Sequence, residues 1–556
     1  MINDKKPWLK YYPEEVRTMT IPHISLNDYL KQSTNNDAIA LEYYGNSIKW
    51  NTIWNYIEQT TNALLASGIK KGDQIPVFLQ AVPEYLYILL AAERIGASII
   101  CRDGEIFENV DAVKKANASI IFVHDFFSQE EEIEMKKNGV TTFIKISPQA
   151  SALRIPSYVA DNLALQYKEK NTIQDGMTWE DFLALGKTAP SFHAEYDITA
   201  PLLRAYTTGT TGTSKQVIHS AQSIIGVLHQ MNFYSFDAGF RFRWLLTLLP
   251  PSLVAVTVSM MLSPLASGKL LILDPFVNVY DIDLSLIDNR ANGWAMIPMF
   301  VDVILKSKRL ENEDLSFFMA AGAGAEFMNN KQLLRIRKFL VEHNSPCQFT
   351  TGYGMSEAGS NVTLYSKDTT GMNFCYGIPL PLTTVSICKP GTEEELDFHE
   401  LGEICIQGPG VMIGYDDEEA TKETLRTHAD GLTWLHTGDI GYLDEDGQIY
   451  VLNRNFVKHH SGGTLFASEL ENKVITIKGV SDAFFVTVPD SKHEDYYLPY
   501  LYVIPKSDID KKQLTEEIYK VLSEHEKPVE IRFLKERPFF HFKTARKILA
   551  KEILSA

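Results

Sequence analysis

Apolar and polar positions change rhythm twice along the chain. Through the first half, short apolar runs alternate with longer stretches, as in KGDQIPVFLQ, then EYLYILLAAERIGASII, then ASIIFVHDFF. Short uninterrupted apolar runs between turn signals suit strands covered on both faces, and the longer stretches suit amphipathic helices that cover them. The alternation continues beyond residue 215, where GKLLILD and NGWAMIPMF read as strands and FVDVILKSK as a helix. From about Leu401 the spacing tightens. GEICIQGPGVMIGY and GDIGYLDEDGQIYVLNRN alternate and are punctuated by glycine, as in a small β-rich unit. After Arg454 the order is helix SELENKVITI, strands SDAFFVTVP and PYLYVIP, helix QLTEEIYKVLSEH and strand VEIRFLK. The pattern predicts an α/β protein. Residues 1–453 are expected to form a large N-terminal domain of helix-covered sheets, with a β-rich subdomain at about 380–453, and residues 454–556 a small α+β C-terminal domain.

Composition narrows this picture. Across 556 residues, 45% are hydrophobic and 22% charged, the balance of a globular protein with several cores. A net charge of −17 argues against a broad nucleic-acid surface, which needs many phosphate-neutralising cations. Cys101, Cys347, Cys375, Cys388 and Cys405 show no CxxC pair and no metal-ligand spacing. They are expected to be buried, inert thiols in a reducing, cytoplasmic setting, without a zinc site or a disulfide framework. The first residues, MINDKKPWLKYYPEEV, are too charged for a secretory signal. Leu245 to Ala266 is uncharged and long enough to span a bilayer, but Pro250, Pro251 and Pro264 would break a single helix, so it reads as a core segment. No transmembrane segment is expected.

One loop stands out chemically. Thr207 to Lys215 reads TTGTTGTSK: Thr207, Thr208, Gly209, Thr210, Thr211, Gly212, Thr213, Ser214 and Lys215. Glycines let the backbone approach a ligand, while successive N–H groups, hydroxyls and a terminal ammonium suit a polyphosphate. No Lys-Ser/Thr pair follows a glycine at the Walker spacing, so an ordinary P-loop is disfavoured.

Four further motifs follow in order: TGYGMSEAG from Thr351, GEICIQGPGVMIGY from Gly402, HTGDIGYLDEDGQIYVLNR from His436 and KTARKILAKEI from Lys543. With the threonine-rich loop, they make the chain resemble, nearly end to end, the adenylate-forming superfamily of acyl-CoA synthetases, peptide-synthetase adenylation domains and luciferases. PWLKYYPEEV is similar to the opening of bacterial long-chain fatty-acyl-CoA ligases.

The resemblance implies a reaction in two halves. A carboxylate attacks the α-phosphate of ATP to give acyl-AMP and pyrophosphate, and a thiol then takes the acyl group. It implies that Thr207 to Lys215, Thr211 among them, hold the β- and γ-phosphates. Ala323, Gly324 and Ala325 would wall the adenine, within AAGAGAEF. In Gly352, Tyr353, Gly354, Met355, Ser356 and Glu357, Tyr353 would stack on adenine, Ser356 would lie near the α-phosphate and Glu357 would hold Mg²⁺. Asp439 would accept hydrogen bonds from the ribose hydroxyls, Arg454 would reach the ribose, and Lys547 would stabilise charge at the α-phosphate. Phe233, Leu253, Val254, Met299 and Phe300 would line an apolar acid pocket suited to a fatty acid. Ser461, Gly462 and Gly463 would border the thiol tunnel.

Five places depart from the family pattern: LLPPSLVA, with Leu253, stands where an LPLFH-like segment is usual, and four more follow. Ser214 and Gln216 flank Lys215 in place of the usual Pro and Gly, Arg546 precedes Lys547 in place of Gly, Phe456 occupies the hinge position, and the loop after Gly463 is one residue short. CoA is the expected acceptor. A carrier-protein thiol and a non-catalytic nucleotide- or acyl-binding homologue are the alternatives.

Overall fold

The computed structural model describes residues 6–103, 106–169, 171–188, 194–207, 214–233, 240–364, 372–454, 457–458, 464–493, 496–506, 509–540 and 543–555. Two large sheets lie at its centre. One has eight strands in the order Gly414–Tyr415, Gln216–Ser220, Pro201–Tyr206, Ser98–Cys101, Gln74–Phe78, Ile120–His124, Thr142–Ile146 and Met177–Thr178. Its strands are parallel from Pro201–Tyr206 onward, and the two at the other edge join antiparallel. The other sheet has seven strands, Thr350–Thr351, Ala320–Ala323, Gly293–Met296, Arg243–Thr247, Leu270–Asp274, Ile39–Tyr43 and Asn46–Lys49, parallel except for the last. Parallel sheets need covering on both faces, which accounts for strands such as Leu270–Asp274 and Ile120–His124 being buried at every position.

The helix Pro83–Ile95 corrects one expectation. It is buried at every position but Glu93, so it is a central helix and not an amphipathic cover. A helix apolar on all sides needs protein on all sides, and this one belongs to the core cluster that also takes in residues of both sheets. Leu245 to Ala266 divides as its prolines predict. It begins in the strand Arg243–Thr247, turns at Pro250–Pro251, and ends in the π-helical turn Val256–Leu262 running into Ser263–Ala266, largely buried. Among the described residues no helix is long and apolar enough to cross a membrane.

A five-stranded antiparallel sheet follows, built from Thr384–Cys388, Gly402–Gln407, Thr433–Leu443, Leu425–Thr427 and Ile449–Arg454. Gly414–Tyr415 leaves it to pair with Gln216–Ser220, tying it to the eight-stranded sheet. Past Thr464 the chain has its own three-stranded sheet, Val480–Pro489, Tyr497–Pro505 and Glu530–Phe533, and its own core around Phe485, Leu501 and Ile518. The last helix, Arg546–Ser555, follows.

Candidate active site

The neck of the threonine-rich loop is set by the antiparallel pair Pro201–Tyr206 and Gln216–Ser220. The Thr207 N–H donates to the Lys215 carbonyl at 2.8 Å, the Lys215 N–H donates to Thr207 Oγ1 at 3.1 Å, and the Ser214 hydroxyl donates to the Thr207 carbonyl at 2.5 Å. The hydroxyls of Thr207 and Ser214 therefore close the neck of the loop. Thr208, Gly209, Thr210, Thr211, Gly212 and Thr213 lie outside the described residues.

From that neck a chain of contacts runs to Glu357. Lys215 Nζ lies 4.8 Å from the centre of the Tyr415 ring, and the Tyr415 hydroxyl donates to Glu357 Oε1 at 2.8 Å. Glu357 is 5% exposed, and its carbonyl accepts from the Met412 N–H at 2.8 Å. A second strut comes from His219, whose Nε2 is 2.8 Å from the Ser356 carbonyl and whose Nδ1 is 3.1 Å from Ser223 Oγ. A carbonyl only accepts, so Nε2 carries the proton. Burial pushes the pKa of His219 down to about 4, which keeps the ring neutral. Lys215, Met355, Glu357 and Tyr415 line one polar cavity of about 280 Å³, together with Glu403, Arg426, His436, Thr437 and Gly438.

On the nucleoside side, Ala320–Ala323 runs parallel to Thr350–Thr351. The Gly352 N–H donates to the Ala323 carbonyl and the Gly324 N–H to the Met296 carbonyl, each at 3.2 Å. Ala325 follows in a left-handed conformation, φ 68°. Gly354 pairs so closely with the strand Ser360–Asn361 that a Cβ would stand 1.9 Å from the Ser360 carbonyl oxygen. The Tyr353 hydroxyl donates to Asp439 Oδ2 at 2.7 Å, and Arg454 stands opposite Asp439 in the sheet register. Asp439 sits on a bulge. Glu403 pairs with Ile440 while Cys405 pairs with His436, and Gly438 turns the extra residues at φ 72°. The segment 352–357 thus links the phosphate-side and nucleoside-side groups.

The tail docks beside the small-residue wall. The Thr544 N–H donates to Glu326 Oε1 at 3.1 Å, and Arg546 joins Glu326 at 2.9 Å to Glu471 at 3.0 Å. Lys547 is exposed on the helix that starts there; desolvation and then the neighbouring Lys551 lower its pKa. A cleft of about 1140 Å³ separates the tail from the large unit, with Met299, Asp302, Glu326, Lys331, Asp482 and Arg537 in its walls.

Of the remaining expected acyl-pocket residues, Phe233 caps the helix Ala221–Asn232 and meets Tyr12 edge-on at 5.8 Å. Leu253 is half-buried and Val254 buried before the π-helical turn, while Phe300 has no exposed surface and packs against Trp294. Ser461, Gly462 and Gly463, like Phe456, lie outside the described residues. Sequence reasoning missed His219, Tyr415, Arg426 and Glu403. Tyr415 ends the motif GEICIQGPGVMIGY, and that position was the available signal.

Comparison with known proteins bears on the family and the fold. The chain is 25% identical to the long-chain-fatty-acid–CoA ligase of Bacillus subtilis (strain 168), over 100% of this chain and 98% of that one. Its fold matches ATP-bound MatB from Rhodopseudomonas palustris with a TM-score of 0.77 at 20% identity, covering 95% of this chain and 99% of that one. It also matches o-succinylbenzoate CoA synthetase (MenE) from Bacillus subtilis in complex with the acyl-adenylate intermediate OSB-AMP, with a TM-score of 0.72 at 19% identity, covering 94% and 97%. The profile of the AMP-binding enzymes matches residues 30–416, well over half of the sequence, and the chain therefore belongs to the AMP-binding enzyme family.

Proposed function

We propose that the protein is an ATP-dependent acid–thiol ligase that activates a hydrophobic carboxylic acid as acyl-AMP, releases pyrophosphate and transfers the acyl group to CoA. The observation that carries this reading is the convergence of Lys215, Tyr415 and Glu357 on one polar cavity, with Tyr353, on the same short segment as Glu357, hydrogen-bonded to Asp439. In this reading Lys215 and the loop 207–215 bind the outer phosphates, Ala323 to Ala325 and Tyr353 hold adenine, and Asp439 and Arg454 hold the ribose. Electrostatic positioning of this kind is the main task in transfer at phosphorus.

Magnesium fits the donor set. Glu357 Oε1 accepts the Tyr415 hydroxyl, and among the described residues Oε2 accepts no hydrogen bond. Hard cations that bridge phosphates are held by one or two such carboxylates. When bound, the ion neutralises phosphate charge. Tyr415 orients Glu357, and His219 fixes the preceding carbonyl.

Residues 454–556 act in this reading as a unit that moves against 1–453, bringing Lys547 to the α-phosphate for the first half-reaction and the loop at Ser461 to Gly463 to the thiol for the second. The full-length likeness to a fatty-acid–CoA ligase supports both an apolar acid and CoA as acceptor. Pyrophosphate release with a panel of carboxylic acids, with and without CoA, tests the reading. Acid-dependent release with thioester formation is expected. Release without a CoA thioester would redirect it to a carrier-protein acceptor, and silence across fatty and aromatic acids would overturn it.

A further inference from the structure

Strand register gathers metal-ligating residues that the sequence scatters. Cys388 ends Thr384–Cys388, Cys405 lies in Gly402–Gln407 and His436 in Thr433–Leu443, three adjacent antiparallel strands. Cys405 faces Ser386 on one side and His436 on the other. Side chains alternate along a strand, so Cys388, two residues beyond Ser386, shares the face of Cys405 and His436. His428 arrives from the hairpin after Leu425–Thr427, where its N–H donates to the Leu432 carbonyl at 3.0 Å and its ring stacks on Trp434 at 5.1 Å.

The ligand atoms meet at short range. His428 Nε2 is 2.9 Å from His436 Nε2, and Cys405 Sγ is 3.9 Å from that same His436 nitrogen and 3.5 Å from its Nδ1. Cys388 Sγ, Cys405 Sγ and a ring nitrogen of His428 lie within 4.8 Å of one another. Tetrahedral bonds of about 2.3 Å to sulfur and about 2.0 Å to nitrogen place sulfur and nitrogen ligands about 3.5 Å apart and two nitrogens about 3.3 Å apart. Cys388, Cys405 and His428 form one close group and Cys405, His436 and Glu403 a second, so an ion held by all four of Cys388, Cys405, His428 and His436 requires the His436 ring to turn its Nε2 toward the sulfurs. Cys388 and Cys405 are fully buried.

The surroundings complete the arrangement. His436 Nδ1 lies 3.0 Å from Glu403 Oε2, an oxygen that only accepts, so Nδ1 carries the proton and Nε2 turns its lone pair toward His428. A carboxylate behind a histidine is the usual device for orienting a metal-bound imidazole. Glu403 Oε1 also accepts from the Gly438 N–H at 2.9 Å, which ties the cluster to the bulge carrying Asp439.

We infer that Cys388, Cys405, His428 and His436 form a closed tetrahedral site for one zinc-class divalent ion, with Glu403 orienting His436. Two thiolates and two imidazoles select a borderline-soft ion over magnesium or calcium. Four protein ligands leave no open position, so the ion is structural: it clips three strands and the 428–432 turn together beneath the bulge at residues 437–439. His436 and Glu403 also line the polar cavity that contains Glu357, so the test below reads metal binding and not turnover.

The test uses the full-length chain purified under reducing conditions without chelator. Elemental analysis is expected to find one zinc ion per chain. After removal of zinc, cobalt(II) is expected to give a thiolate-to-metal charge-transfer band and the strong visible bands of a tetrahedral ion. His428→Gln, at a half-buried turn position, and the double variant Cys388→Ser/Cys405→Ser are each expected to lose the tetrahedral cobalt spectrum, and the double variant the charge-transfer band as well. Cys347→Ser and Cys375→Ser keep both. A folded wild-type chain, checked by circular dichroism, that binds neither metal overturns the assignment. So does a charge-transfer band that survives in the double variant, or a Cys388–Cys405 disulfide that persists through the reducing purification.

Discussion

His219 gives the sharpest link between burial and the proposed site. It is 0% exposed in the strand Gln216–Ser220, and burial lowers its pKa from 6.5 to about 4. As pH falls through 6.5 the unfolded chain takes up a proton that the folded chain refuses until about 4. The stability conferred by the neutral ring is therefore present in full above 6.5 and is lost as pH drops toward 4. Proton linkage with these two values gives a loss of about 2 kcal/mol between about pH 7.5 and about pH 5. Carboxylates also titrate at the acid end, so the comparison is with His219→Gln, whose amide can still donate to the Ser356 carbonyl but does not titrate. Urea unfolding followed by tryptophan fluorescence at the two pH values measures the difference. Wild type should lose about 2 kcal/mol more than the variant over that interval. Parallel losses would refute a neutral buried His219. The same residue has a functional arm. His219→Leu leaves the Ser356 carbonyl without its donor, at a cost of about 1–3 kcal/mol, one residue before Glu357. That variant should lose pyrophosphate release, whereas the Gln variant keeps most of it.

Three further outcomes are expected. Lys547→Ala should abolish acyl-AMP formation, measured by pyrophosphate release, while ATP binding by calorimetry stays nearly intact; unchanged release would remove Lys547 from its proposed role. Tyr415→Phe deletes the 2.8 Å hydrogen bond to Glu357 and should raise the magnesium concentration needed for half-maximal release roughly tenfold, as expected for a hydrogen bond of about 1.5 kcal/mol to a charged group. Gly354→Ala would push a methyl to 1.9 Å from the Ser360 carbonyl oxygen. The backbone must shift, so a stability loss of about 1–3 kcal/mol is expected in thermal unfolding, together with weaker AMP binding.

What the sequence by itself determined is local or ordered along the chain. Strand runs such as Leu270–Asp274 and helices such as Ala467–Ile475 are written in the spacing of apolar residues, because a strand or helix imposes its own period on the sequence that builds it. The motif order around Lys215, Glu357, Asp439 and Lys547 was legible for a similar reason, since each motif is a short contiguous segment. Tertiary structure decided the rest. Pro83–Ile95 resembles a surface helix in sequence and becomes a central one because protein surrounds it on every side. His219 and Tyr415 reach the site through the pairing of Gly414–Tyr415 with Gln216–Ser220, a contact across roughly two hundred residues that no local pattern encodes. Cys388, Cys405, His428 and His436 look unrelated on the page because their spacing follows loop lengths and not a ligand motif. Antiparallel register and a bulge place them on one face, and register is a property of the assembled sheet.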